Sequence, residues 1–180
     1  YLSTTHRTNF NVGANDFTIE AWVYTSTVSQ QDIFGANRDY DGVGAFMFNL
    51  NYTGKVRFFC MYSSGIVLDY NVGTGTISDS TWHHIAVTRN GSSLRIFIDG
   101  IQTGTTNTTL GSAAIDNAIA DYRVGSSTDG YKYFNGYIDE LRVTKGVARY
   151  TGSFTTSSVA FPNAQETIPQ YETKYIGLIG

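Results

Sequence analysis

The chain has 180 residues, a formal net charge of −3 and only 15% charged residues. That length suits one domain, which buries roughly 70% of its unfolded surface and needs no covalent staples. No basic stripe is available to neutralise phosphates, which argues against nucleic acid as a partner, and no run of about 18 apolar residues offers a helical membrane span.

Frequent Gly (19), rare Pro (2) and aromatics dominated by Tyr (13) and Phe (11) fit many short strands joined by glycine turns. The sequence opens at Tyr1 without an initiator Met or a signal-like stretch, as expected of a fragment or processed product. One cysteine excludes an intrachain disulfide. Cys60 lies in the apolar run Phe58, Phe59, Cys60, Met61 and reads as a small core residue. The lack of disulfides leans toward assembly in a reducing cytosol.

Period-2 patterning recurs along the chain. Phe17, Ile19, Ala21 and Val23 alternate with Thr18, Glu20, Trp22 and Tyr24. Strands are predicted over 45–52 and 55–62, joined as a hairpin around Gly54, and then over 66–70, 82–89 and 93–99. Asn90-Gly91 and Asp99-Gly100 are two-residue hairpin turns, the second leading into 101–103. Further strands are predicted over 122–125 and 134–144. Residues 78–81 and 146–150 carry weak signals for short helical turns. The polar stretch 163–167 resembles a linker, and 171–179 reads as a terminal strand or a lead into a following domain. Ten or so strands at this spacing imply two packed sheets.

Three blocks carry a resemblance. They are Gly13–Tyr24, then Thr81–Arg89 continued by Leu94–Gly100, then Phe134–Val143. Their order and spacing over residues 1–162 resemble the laminin-G-like domains of the concanavalin A-like lectin/glucanase superfamily, with 163–180 as an extension. The closing stretch Val143–Thr151, with Phe154 and Phe161-Pro162, looks like the version found in tailed-phage tail fibres and other virion proteins. The resemblance implies an all-β, two-sheet antiparallel jelly-roll sandwich, ligand loops at one rim and often a bound Ca2+ ion. Fold alone does not settle function in such a family.

Trp22 and Trp82 are expected to pack in the core or bridge the sheets. His83 and His84 are neighbours on a strand and face opposite sides, so they do not share a metal. Ile138, Leu141 and Val143 break alternation by one residue, which predicts a β-bulge at Asp139-Glu140. Asp139 then either caps backbone locally or ligates calcium.

Glycan hydrolysis needs two carboxyl groups across one bond. The four Glu (Glu20, Glu140, Glu166, Glu172) and the adjacent Asp139-Glu140 offer no such pair at even strand spacing. No Gly-x-Ser-x-Gly elbow is present. The chain is therefore expected not to be an enzyme.

Two loops mix Tyr with Asp, Asn and Gly: Asn37–Gly42 and Ser126–Tyr133. A tyrosine ring suits the C–H face of a sugar, and Asp or Asn suits its hydroxyl edge; the same types are also ordinary turn residues. The candidate glycan contacts are Asn37, Asp39, Tyr40, Asp41, Asp129, Tyr131 and Tyr133. Three Asn-x-Thr/Ser triplets begin at Asn51, Asn90 and Asn107, and carry no weight in a phage or bacterial source. The expected function is a lectin-like module on a virion that contacts host surface glycans. The alternatives are a structural or protein-interaction domain of a virion or extracellular assembly and, disfavoured, a glycan hydrolase.

Overall fold

A computed structural model describes residues 1–4, 10–36, 46–62, 66–115, 121–127, 132–161 and 173–175. In chain order its strands are β1 (Leu2–Thr4), β2 (Phe17–Thr25), β3 (Gln31–Ala36), β4 (Phe46–Leu50), β5 (Lys55–Tyr62) and β6 (Ile66–Thr76). They continue as β7 (Trp82–Asn90), β8 (Ser93–Ile98), β9 (Ile101–Asn107), β10 (Tyr122–Val124), β11 (Gly136–Lys145) and β12 (Thr173–Tyr175). One sheet runs β1-β10-β3-β4-β5-β6 and the other β12-β11-β2-β7-β8-β9. The fold is an all-β antiparallel sandwich, consistent with a jelly roll.

Alternation sets the core. Phe17, Ile19, Ala21 and Val23 of β2 are fully buried, as are Ile85 and Val87 of β7 and Leu94 and Ile96 of β8. They meet Phe46, Phe48, Phe58 and Cys60 of the other sheet in one cluster, where the rings of Phe17 and Phe58 lie 5.7 Å apart. Each of the larger aliphatic and aromatic side chains contributes roughly 1.5–3 kcal/mol through burial. Burial pushes the Cys60 thiol up to about 12, so it is a packing residue and not a nucleophile.

Asp99 (φ 50°) with Gly100 (φ 78°) joins β8 to β9 as expected, whereas the β7–β8 turn sits one residue later than expected: Asn90 still pairs with Ser93, and Gly91 (φ 57°) with Ser92 makes the loop. The bulge is also present: the β11–β2 register shifts between Asp139 and Arg142. Glu140 is the extra residue, with φ 50°. Its insertion keeps Ile138, Leu141 and Val143 all turned to the core.

Other expectations fail. Residues 78–81 and 146–150 make bends and irregular chain, not helical turns. β3 escapes sequence patterning because it does not alternate: all six of its residues are buried. Its polar members are hydrogen-bonded instead, Gln31 donating to Thr27 O (2.8 Å) and Asp32 accepting from Asn49 (2.9 Å).

The segment 146–161 becomes a strap across the outward face of the β2-containing sheet. Thr18 donates to Val147 O (3.0 Å), Thr88 to Tyr150 O (2.8 Å), and Phe154 N–H to Gly100 O (2.8 Å). Any side chain at position 100 would put a Cβ 2.0 Å from Phe154 O, so the crossing requires glycine. Beneath the strap lies a second small core, in which Tyr150 and Phe154 stack at 3.5 Å and both meet Phe97 edge-on. Glu20, fully buried there, accepts from Arg142 (2.7 Å) and Tyr150 (2.7 Å).

Candidate functional site

The strap covers only part of that outward face. At the β2 end carrying Tyr24 the face is bare, and three aromatics occupy it. Register sets Tyr137 opposite Tyr24, and Tyr24 opposite Trp82, on three adjacent strands. Ring centroids are 5.8 Å apart for Tyr24–Tyr137, 5.8 Å for Tyr24–Trp82 and 6.4 Å for Trp82–Tyr137. Strands two apart in a sheet are separated by about 9.6 Å. Tyr137 and Trp82 therefore lean toward each other over Tyr24, and the three rings make a compact triangle instead of a line. Tyr137 is 67% exposed and Trp82 45%.

This corrects the expectation that Trp82 packs in the core. Trp82 pairs with Tyr24, whose parity on β2 is opposite to that of the core residues Phe17 to Val23, so it faces outward. Trp22 shares that parity, is half-buried, and meets the His84 ring at 5.5 Å at the margin of the strap.

Backbone constraints hold the triangle. A Cβ at Gly136 would lie 1.9 Å from Tyr24 O, so only glycine lets β11 close on β2 immediately before Tyr137. Asn135 is fixed on both sides, its N–H donating to Gln31 Oε1 (2.7 Å) and its carbonyl accepting from Thr25 (2.7 Å).

One carboxylate flanks the triangle. Asp139, exposed and two residues along β11 from Tyr137, faces the same way and pairs in register with Trp22. His83, next to Trp82 in sequence, pairs with the core-facing Val23 and so points to the opposite face of the sheet, where it sits between Asp99 (Nδ1–Oδ2 2.7 Å) and Asp79 (Nε2–Oδ1 3.0 Å). Burial alone would lower the His83 pKa, but the hydrogen bonds to Asp99 and Asp79 outweigh it and hold it above the ordinary value. His84 points the other way to Glu20 (3.2 Å), so the two histidines diverge as expected.

The other predicted residues divide. Asn37, Asp39, Tyr40, Asp41, Asp129 and Tyr131 lie outside the described residues. Tyr133 is 54% exposed, with its ring 6.1 Å from that of Tyr1, itself under the Arg123 guanidinium at 5.2 Å. Beside Tyr1 is a cavity of about 330 Å³ lined also by Leu2, Phe134, Gly136 and Ile138. Asp139 accepts the Glu140 N–H (2.8 Å), the local backbone cap. The Glu140 carboxylate turns away to the Phe161 N–H. Among the described residues no group of three or more His, Cys, Asp or Glu is placed to hold a metal.

A β-sandwich with an open aromatic patch edged by a carboxylate is the architecture of a binding domain. The family is shown directly: the chain belongs to the concanavalin A-like lectin/glucanases superfamily, the Laminin_G_3 model matching residues 1–149. No curated protein matches the chain. Among solved structures it is similar to domains LG4-5 of the mouse laminin alpha1 chain, with 18% identity and a TM-score of 0.56 over 79% of this chain and 37% of that one. It is similar to domain 4 of an extracellular GH43 arabinanase from Geobacillus stearothermophilus in complex with arabinotriose, with 20% identity and a TM-score of 0.55 over 74% and 62%. It also resembles the CBM40 of a Ruminococcus gnavus IT-sialidase bound to alpha2,3 sialyllactose, with 13% identity and a TM-score of 0.56 over 69% and 72%. At these identities the likeness is one of fold. The chain spans well under two thirds of the laminin chain's length.

Proposed function

We propose that the chain is a non-catalytic, lectin-like module that binds a surface glycan through the Tyr24–Trp82–Tyr137 patch, on a phage tail fibre or other virion part that contacts the host. The observation that carries the reading is the exposed aromatic triangle on a rigid sheet. Large, rigid, amphipathic rings give contact area at low entropic cost, and the Asp139 carboxylate at its margin accepts hydroxyl hydrogen bonds. Structural relatives bound to arabinotriose and sialyllactose support the glycan class. The non-catalytic part is supported by the carboxylates: Glu20 is buried under the strap, and Asp139 and Glu140 diverge. Virion placement rests on the resemblance of the 143–162 stretch, and an extracellular assembly is the alternative setting.

A glycan array probed with the folded protein, with and without EDTA, tests this. Binding to at least one glycan class, lost in Trp82→Ala, is the expected result. Loss on chelation assigns calcium a part and sends the search for ligands to the loops at 37–42 and 128–131. No binding across the array by folded protein refutes the glycan reading. Labelling of bacterial cells by the fluorescent domain tests the host-contact role.

A further inference from the structure

Resting on that glycan reading, we infer that the aromatic patch seats a single sugar ring carrying no acidic group, and discriminates against sialic and uronic acids. The three rings touch one another, with centroids 5.8, 5.8 and 6.4 Å apart, within the range of direct aromatic contact. No space is left between them for an enclosed cation, so they do not form a cage of the kind that takes a quaternary ammonium. A ligand lies on top of the triangle, and its surface spans about one ring. A line of rings would read several sugars in succession, but this leaning arrangement reads one.

Charge sets the discrimination. Asp139 lies beside the patch, on the same face of β11 as Tyr137. The nearby guanidinium of Arg142 is buried against Glu20 and the Phe161 ring, 3.6 Å from its centroid, and does not offer itself to a ligand. An acidic sugar on the triangle would meet the Asp139 carboxylate, whereas neutral hydroxyls and amino groups would meet an acceptor.

Isothermal titration with paired probes tests the inference: lactose against 3′-sialyllactose, arabinotriose, and neutral and uronate oligosaccharides of one to six units. For at least one neutral or amino sugar, binding is expected to weaken by about tenfold or more in Trp82→Ala and in Tyr137→Ala, the loss typical of an aromatic anchor. Affinity is expected to level off by the disaccharide, and matched acidic sugars to bind more weakly by a similar factor. Asp139→Lys is expected to narrow that gap. Thermal melts of the variants verify folding, since both aromatics are exposed. Tighter binding of sialyllactose or a uronate chain, or affinity climbing with each added unit to the hexamer, would overturn the inference while leaving glycan binding intact. Binding that ignores both aromatic substitutions would move the sugar elsewhere and also overturn it. Silence from every probe would sink the glycan reading itself.

Discussion

Replacing Glu20 with leucine is expected to cost about 3–5 kcal/mol, the scale for removing one partner of a buried ion pair. Glu20 is fully buried, and its Oε1 accepts from Arg142 Nε (2.8 Å) and Nη2 (2.7 Å). Its Oε2 accepts from Tyr150 (2.7 Å) and faces His84 Nε2 (3.2 Å). Burial alone would raise the Glu20 pKa. The His84 hydrogen bond, the Arg142 charge and the Tyr150 hydroxyl more than reverse this, and the net shift is downward. The anion is therefore better held in the fold than in water. Leucine leaves Arg142, 7% exposed, without its carboxylate. Glutamine keeps the shape and one acceptor, and is expected to cost about 1.5–3 kcal/mol. Against a typical total of about 5–15 kcal/mol, the leucine variant loses a large share of its stability.

Equilibrium unfolding in urea measures the loss, and limited proteolysis locates it. Cleavage within 146–161 should accelerate before the rest of the domain opens, because Tyr150 ties the strap to Glu20. A leucine variant within about 1 kcal/mol of wild type, with the strap still protected, would refute the reasoning.

Four further outcomes are expected. With its folded pKa depressed, Glu20 contributes stability that is full above its ordinary value of 4.5 and is lost as pH falls below it. Acid titration of Glu20→Gln should therefore show a shallower decline in melting temperature below that pH than wild type. His83 has the opposite sign: its contribution is full below 6.5 and fades as pH rises through its elevated folded pKa, so NMR titration of its ring should give a midpoint above 6.5. Arg89, 1% exposed, donates to the carbonyls of Gly91, Gly13 and Gly111; Arg89→Met should cost about 2–4 kcal/mol by denaturant titration, since three carbonyls lose a charged donor. Gly100→Ala should lower the melting temperature by several degrees and expose the strap to protease, since both φ and the Phe154 carbonyl exclude a Cβ.

Much of this architecture is legible in the sequence where local chemistry acts alone. Alternation in β2 fixes which residues face the core, Asp99-Gly100 fixes one turn and Gly91 marks another to within a residue, and the broken pattern at Ile138, Leu141 and Val143 marks the bulge. β3 is illegible because both of its faces are covered, so its polar residues are satisfied internally instead of pointing to water. The strap is illegible for a related reason: nothing local in 146–161 announces that it will shield Glu20, Arg142 and Phe97. The aromatic patch was within reach. The alternation that buries Ala21 and Val23 also turns Trp22 and Tyr24 outward, and only the habit of assigning tryptophan to cores hides it. What the pattern of β2 alone cannot supply is the register that brings Trp82 and Tyr137 to Tyr24.

The glycan seat is tested most directly by the two indole N–H signals of the protein, from Trp22 and Trp82. Titration with soluble neutral polysaccharides (arabinan, xylan, mannan and dextran) is expected to move the Trp82 signal with at least one of them, and Tyr137→Ala should abolish the movement. A polysaccharide that binds yet leaves Trp82 unmoved, shifting Tyr1 and Tyr133 instead, would contradict the assignment.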